Sequence, residues 1–138
     1  MTATTIEIDR PPAEVYAYAT DPARFPEWQA DVRRVEVHPD GRFTTVRRIA
    51  GVDRPMLQQV TRDEPPVRWA AGAIGGAVRP EATIAIEPLD GGRRSRVTFT
   101  LDFTGRGAAD LLVPVVRRMA GRAAPRSYAR LKALLERR

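Results

Sequence analysis

The sequence predicts an α+β domain, in which a seven-stranded antiparallel sheet is followed by one long C-terminal helix. Most of the chain up to about residue 105 alternates apolar with polar residues in short segments, and turn sequences separate these segments. From about residue 108 onward, apolar residues instead recur at steps of three and four, which is the period of a helix. Because the connections between successive strands are short, a single antiparallel sheet is favoured.

The first strand is followed by two short helices. Residues 4–9 alternate, and this predicts a strand that is buried on one face. Pro11 and Pro12 interrupt the alternation and favour the first turn of a helix. A second short helix is predicted over about residues 22–31, in which Phe25 and Trp28 lie three residues apart.

Six further strands are predicted before the C-terminal helix. Turn sequences rich in glycine, proline and aspartate separate them. The segment from residue 33 to residue 59 has to hold strands 2 to 4 and the turns between them, so these strands are expected to be short. The predicted strands lie at about residues 35–37, 42–49, 55–62, 67–74, 79–87 and 97–103.

The C-terminal helix is predicted over about residues 108–138. Pro114 is compatible with its first turns, whereas Pro125 lies within the pattern and is expected to kink the helix. The apolar stripe consists of Leu112, Val115, Val116, Met119, Ala123, Leu131, Leu134 and Leu135.

Length and composition limit the chemistry that the chain can perform. The 138 residues fit one domain spanning residues 1–138, and without cysteine there is no disulfide, thiolate ligand or cysteine nucleophile. His38, the single histidine, lies in a predicted turn, so neither a metal site nor a cofactor is expected. The chain starts without a basic segment leading into an apolar run, and no apolar run is long enough to span a bilayer. A cytoplasmic location is therefore expected.

The net charge of +6 is weak evidence for a polyanionic partner. Lys132 is the single lysine among 23 basic residues, and the remainder are arginines scattered along the chain in pairs. This usage is typical of a GC-rich bacterial genome. A nucleic-acid-binding protein more often concentrates its charge on one element and interleaves aromatic residues with it, so nucleic-acid binding is not expected.

Five local motifs follow one another in an order known from one superfamily. They are Ile8 to Val15, Asp21-Pro22 with Pro26 and Trp28, Asp63 to Trp69, Arg96 to Leu101, and Leu131 to Glu136. Together they resemble the START-like (SRPBCC) helix-grip superfamily, and its bacterial polyketide cyclase/dehydrase and lipid-transport branch most closely. The resemblance implies a curved sheet wrapped around the C-terminal helix, with a cavity between them for a small hydrophobic ligand.

Small residues on two elements are consistent with such a cavity. They are Ala120, Gly121, Ala123 and Ala124 on the helix, and Ala70 to Ala73 on the fifth strand. Side chains of this size leave volume unfilled between a helix and a sheet. They equally allow the two backbones to pack closely, and the cavity is preferred because of the resemblance.

The candidate ligand contacts are mostly apolar side chains on the predicted inner faces, each of which could also be a plain core residue. These are Phe25, Trp28, Met56, Trp69, Ala71, Phe99, Leu101, Leu112, Val116, Met119 and Ala123. Gln58, Arg47 and Tyr128 are the candidates for orienting a polar end of the ligand, because strand and helix periods place them on the same faces.

Three functions stay open from the sequence. The first is binding of a small hydrophobic or amphipathic molecule, such as a lipid or a polyketide. The second is a polyketide-cyclase-like enzyme that shapes its substrate and supplies one acid or base; no catalytic residue can be named, and the two serines, Ser95 and Ser127, occur in no nucleophile motif. The third is an interaction or lipid-carrier module that contacts a membrane peripherally through its basic surface. A monomer and a homodimer are both compatible with the sequence.

Overall fold

One sheet of seven antiparallel strands packs against a 24-residue helix in the computed structural model, which describes residues 2–49 and 51–138. The strands are β1 (Thr2–Ile8), β2 (Val32–Val37), β3 (Arg42–Ile49), β4 (Val52–Glu64), β5 (Arg68–Ala73), β6 (Val78–Leu89) and β7 (Arg94–Gly105). The helices are α1 (Pro12–Ala19), α2 (Phe25–Trp28) and α3 (Val113–Glu136), with 3₁₀ segments at Pro22–Arg24, Asp90–Gly92 and Gly107–Leu112.

The strand order β1-β7-β6-β5-β4-β3-β2 places the first two strands at opposite edges of the sheet. From β2 to β7 each strand pairs with the next one along the chain, which confirms the predicted single antiparallel sheet. β1 pairs with β7, with Ile6 opposite Val97. Since β1 and β2 lie at opposite edges, α1 and α2 cross one end of the sheet to connect them.

The core lies between the inner face of the sheet and the three helices. Ile8 on β1 and Val97 on β7 are fully buried, as are Leu131 and Leu135 on α3. Apart from Val113, the buried residues of α3 all belong to its second half. That half anchors the helix on the sheet, and the first half contributes little to the core.

The prediction for the second helix was wrong in its extent. A 3₁₀ turn at Pro22–Arg24 precedes a single α-helical turn, and Gln29 already has extended backbone angles. Asp21 caps the 3₁₀ turn by accepting a hydrogen bond from the Ala23 N–H at 3.1 Å. The predicted spacing of Phe25 and Trp28 is retained within this short segment, and both side chains are buried.

The C-terminal helix begins five residues later than predicted. Residues 107–112 form 3₁₀ turns, and Pro114 lies in the first turn of α3, where a proline costs no helix hydrogen bond. Gly105 precedes this segment, and a Cβ atom there would lie 2.6 Å from the Cα of Asp110. α3 continues through Pro125, so this proline does not end the helix.

The fourth strand is longer than predicted. It spans 13 residues. Its first part pairs with β3, from Ile49 opposite Val52 to Arg42 opposite Gln59, and its last part pairs with β5 as far as Glu64 opposite Arg68. Gly51 allows the turn, with φ of 78°. The expectation that strands 2 to 4 are all short was therefore wrong for β4. None of the helices in the described residues is long and apolar enough to cross a membrane.

Candidate ligand cavity

A cavity of about 450 Å³ lies between the sheet and the first half of α3. This volume is within the range of small-molecule sites in proteins. Side chains from α2, from strands β3 to β7 and from α3 form its walls. α3 contacts the core near its start through Val113 and in its second half through Leu131 and Leu135, and the small side chains between them leave volume unfilled.

Aromatic rings form the wall at the α2 end of the cavity. The Phe25 ring meets the rings of Trp28, Phe43 and Trp69 edge-on, at centroid separations of 6.0, 5.6 and 6.0 Å. These edge-to-face pairs are favourable geometries that hold the rings in place. This part of the wall is therefore apolar, and its rings pack against one another.

Small side chains in the middle of α3 form part of the cavity wall. Ala120, Ala123 and Ala124 line the cavity together with Val116 and Met119. The alternative of close helix–sheet packing is thus not what the structure shows at this part of α3. The equivalent expectation for β5 was wrong, since residues 70–73 do not line the cavity and Trp69 is the lining residue on that strand.

A polar cluster borders the cavity beside the loop that follows α2. The Arg47 guanidinium donates to Asp31 Oδ1 at 3.0 Å and to Gln29 Oε1 at 2.9 Å. The Tyr128 ring stacks on Phe99 with a centroid separation of 4.0 Å. We call Gln29, Asp31, Arg47 and Tyr128 the polar cluster; all four line the cavity.

The Tyr128 hydroxyl is protonated at neutral pH. Burial raises the pKa of Tyr128 to about 12; nearby Arg47 acts to lower the pKa and Asp31 acts to raise it. Among the described residues this hydroxyl has no hydrogen-bond partner, although it lies within electrostatic reach of both charged groups. It can therefore donate a hydrogen bond to an oxygen atom that enters the cavity.

Two further polar groups belong to the cavity wall. Thr45 Oγ1 donates to Gln58 Oε1 at 2.8 Å, and both residues are buried. The Trp28 indole N–H is buried without a hydrogen-bond partner in the described part of the chain.

The last helix is tied to the loop after α2 by Ser127. Its Oγ accepts from the Ala30 N–H at 3.0 Å and donates to the Ala123 carbonyl at 3.2 Å. The other serine, Ser95, donates to the Arg10 carbonyl at 2.7 Å. Both hydroxyls are engaged with backbone groups, which is a structural role rather than that of a nucleophile.

Most of the sequence-predicted ligand contacts are brought together around this one cavity. Phe25, Trp28, Arg47, Met56, Gln58, Trp69, Phe99, Leu101, Val116, Met119, Ala123 and Tyr128 line it. Ala71 and Leu112 do not. Ala71 is buried in the core cluster instead, and Leu112 is 56% exposed, since it precedes α3 in the 3₁₀ segment and is turned to solvent.

Several lining residues were not singled out as ligand contacts from the sequence. Ala82, Ile84 and Phe103 occupy the same alternating positions as the predicted residues of β6 and β7, so strand period alone could have identified them. Gln29 and Asp31 follow α2 in a segment without any period, and no sequence signal points to them. Three arginines, Arg33, Arg48 and Arg126, also border the cavity.

The described residues contain no group of three histidine, cysteine, aspartate or glutamate side chains placed to hold a metal ion. His38, which was predicted to be a solvated turn residue, is half-buried, and its Nε2 forms a hydrogen bond with Thr44 Oγ1 at 2.8 Å.

A curved antiparallel sheet that grips a long C-terminal helix over a cavity defines the helix-grip class of proteins. The family model described as "Polyketide cyclase / dehydrase and lipid transport" matches residues 2–136, and the chain belongs to this family. The resemblance stated from the five motifs is thereby confirmed. None of the curated proteins matches the chain.

Solved structures share the fold along almost the whole chain. The ZhuI aromatase/cyclase from Streptomyces sp. R1128 is 16% identical, with a TM-score of 0.83 over 99% of this chain and 93% of that one. A START superfamily protein from Mycobacterium smegmatis is 15% identical, with a TM-score of 0.81 over 99% and 97%. The protein TTHA0849 from Thermus thermophilus is 22% identical, with a TM-score of 0.73 over 97% and 95%. At these identities the likeness shows the fold alone.

Proposed function

We propose that the protein binds one small, mostly apolar molecule in the cavity between the sheet and α3. The observation that carries this proposal is the combination of about 450 Å³ of unfilled volume with an aromatic wall. Small-molecule sites are typically concave and lined mostly by hydrophobic and aromatic side chains, as this cavity is. Membership of a family described by lipid transport and polyketide chemistry supports the same class of ligand.

The polar cluster selects the polar end of this molecule. Asp31 neutralises Arg47 at 3.0 Å, so the pair carries no net charge toward the cavity. The protonated Tyr128 hydroxyl adds a neutral donor. A carbonyl or hydroxyl oxygen fits this neutral cluster. A carboxylate or phosphate would instead have to reach Arg33 or Arg126, which border the cavity and form no salt bridge within the described residues.

Native mass spectrometry of the purified protein tests this proposal first. A bound molecule appears as a reproducible mass above that of the denatured chain. The two tryptophans of the chain, Trp28 and Trp69, both line the cavity. Their fluorescence therefore reports occupancy directly when a neutral apolar probe such as 1-aminoanthracene is titrated.

A matched pair of variants locates the binding. Ala123→Phe places a ring in the cavity, whereas Ala129→Phe places the same ring on the exposed side of α3. We expect the first variant to lose the probe and the second to retain it. Equal probe affinity for both variants, with native circular dichroism, would show that binding occurs elsewhere and would refute the proposal.

Cyclase-like catalysis is the second candidate function. It is favoured by the polar cluster, in which a protonated phenol lies near a carboxylate in an apolar surrounding. Its fold is also that of an aromatase/cyclase. The test is incubation with a poly-β-keto thioester and detection of a cyclised product that has lost water. Product formed equally by wild type and Tyr128→Phe would exclude Tyr128 as its acid.

A further inference from the structure

The outward side of α3 and of the 3₁₀ segment before it carries large apolar residues that are exposed to solvent. Leu111 is 81% exposed, Leu112 and Val115 are each 56% exposed, and Met119 is 37% exposed. Residues 111, 115 and 119 are four apart, which places them on one side of a helix. We call these four residues the apolar face.

A row of arginines continues the same side of α3. Arg118, Arg122, Arg126 and Arg130 are four residues apart and all exposed. None of the four forms a salt bridge within the described residues, and Asp110 is the single acidic residue between positions 107 and 135. Like charges at this spacing repel each other, so an external anion would stabilise the row. We call these residues the arginine row.

The apolar face and the arginine row form one surface. At about 100° of rotation per residue, Val115, Arg118, Arg122 and Arg126 fall within a sector of about 80° around α3. The apolar side chains lie toward the start of the helix and the arginines extend beyond them. The 3₁₀ segment and α3 thus present exposed leucines, a valine and a methionine next to arginines. Apolar and basic side chains are the residue types that bind the interface of an anionic membrane.

We propose that this surface binds a bilayer that contains anionic lipids. The apolar face enters the boundary between head groups and acyl chains, and the arginine row contacts the lipid phosphates. The charge of the arginine row argues against a second copy of the chain as the partner. In a two-fold contact the arginine row of one copy would face the arginine row of the other, and the like charges would repel each other. The exposed leucines argue against a nucleic acid, whose phosphate backbone offers them no partner.

The surface adjoins the cavity, since Met119 belongs to the apolar face and also lines the cavity with Val116. A docked protein would therefore hold this wall of the cavity against the lipid. The proposal itself does not need an occupied cavity, so its test is independent of the proposed ligand.

Flotation with lipid vesicles tests the proposal. We expect wild-type protein to float with vesicles of phosphatidylcholine and phosphatidylglycerol, but not with phosphatidylcholine alone. Arg118→Gln/Arg122→Gln should bind about 30-fold more weakly, since each arginine near an anionic surface accounts for about fivefold. Leu111→Ser/Val115→Ser should bind at least about tenfold more weakly. None of these four residues lines the cavity.

The control variant Arg34→Gln/Arg68→Gln removes two exposed charges from β2 and β5. It should retain most of the binding, which shows that position rather than net charge is responsible. Three outcomes would overturn the proposal. The first is that the wild-type protein does not bind the anionic vesicles. The second is that the control and Arg118→Gln/Arg122→Gln lose equal amounts of vesicle binding. The third is that Leu111→Ser/Val115→Ser binds vesicles like wild type but dissociates a dimer seen by light scattering.

Discussion

Replacing Gln58 with leucine tests the buried hydrogen bond in the cavity wall. Thr45 is fully buried, and its hydroxyl donates to Gln58 Oε1 at 2.8 Å. Without that acceptor the hydroxyl is left unpaired, and we expect the free energy of unfolding to fall by about 1–3 kcal/mol. At about 2.1 cal/mol/K per residue, a chain of 138 residues unfolds with an entropy of about 0.29 kcal/mol/K, so Tm should fall by about 3–10 °C.

Two controls separate the lost hydrogen bond from a change in packing. Thr45→Val/Gln58→Leu removes both partners and should recover most of the lost stability. Thr45→Val alone leaves the Gln58 amide unpaired, but this amide borders the cavity, where water can form a hydrogen bond with it. The free energy of unfolding should therefore fall less for Thr45→Val than for Gln58→Leu. Thermal and urea unfolding followed by circular dichroism measures all three variants. Strictly additive losses in the double variant would refute the reasoning.

Gln58→Leu also tests the expected role of Gln58 in orienting the ligand. If the amide bonds a polar group of the ligand, the affinity should weaken by about 1–3 kcal/mol. An unchanged affinity, measured by calorimetry with the molecule that co-purifies, would remove Gln58 from the ligand contacts.

Three further predictions concern Tyr128 and two glycines. Tyr128→Phe should weaken the binding of the co-purified ligand by about 0.5–1.5 kcal/mol in the same calorimetric assay. Tyr18 lies outside the cavity, so Tyr18→Phe should leave the affinity unchanged. Equal effects of the two substitutions would argue against a contact between the ligand and the Tyr128 hydroxyl. Burial raises the pKa of Tyr128 from 10.0 to about 12, so the folded state holds a proton that the unfolded state releases. Stability should therefore fall as pH rises from about 10 to about 12, and a near-ultraviolet titration in which Tyr128 ionises near pH 10 would contradict this. Gly121→Ala should raise the free energy of unfolding by about 0.5–1 kcal/mol, because alanine favours a helix and the added Cβ meets nothing within 4 Å. Gly105→Ala should lower the free energy of unfolding, because the added Cβ would lie 2.6 Å from a backbone atom. Urea unfolding measures both changes, and changes of the same sign would be inconsistent with these contacts.

Strand positions were predictable from the sequence wherever one face of the sheet is buried. In β7 the buried residues Val97, Phe99 and Phe103 alternate with more exposed ones, and the alternation is visible in the chain. The same local rule placed Arg47 and Gln58 on the inner face. Period two depends only on the strand itself, so no tertiary information was needed.

The helical period was less informative, because it shows which residues share a face of the helix but not which of them contact the sheet. Leu112 and Val115 follow the same period as Leu131 and Leu135, yet the first two are exposed and the last two are buried. Which part of an apolar helix contacts the sheet depends on how the helix is anchored. That anchoring involves residues far apart in the sequence.

The polar cluster depended most on tertiary structure. Arg47 lies on β3, its partner Asp31 lies in the loop after α2, and Tyr128 comes from α3. No pattern in the sequence relates these positions, because Asp31 and Gln29 belong to no periodic element.

The sequence by itself therefore determined the elements, their order and the family, since these follow from local periods, turn residues and motif spacing. The existence of the cavity was decided by the tertiary structure. Ala120 and Ala123 would suit close packing equally well. The volume beside them appears because α3 is held near its start by Val113 and in its second half by Leu131 and Leu135, at a separation from the sheet that the small side chains between them do not fill. A volume between two elements is a property of their separation, and no single segment of the chain encodes it.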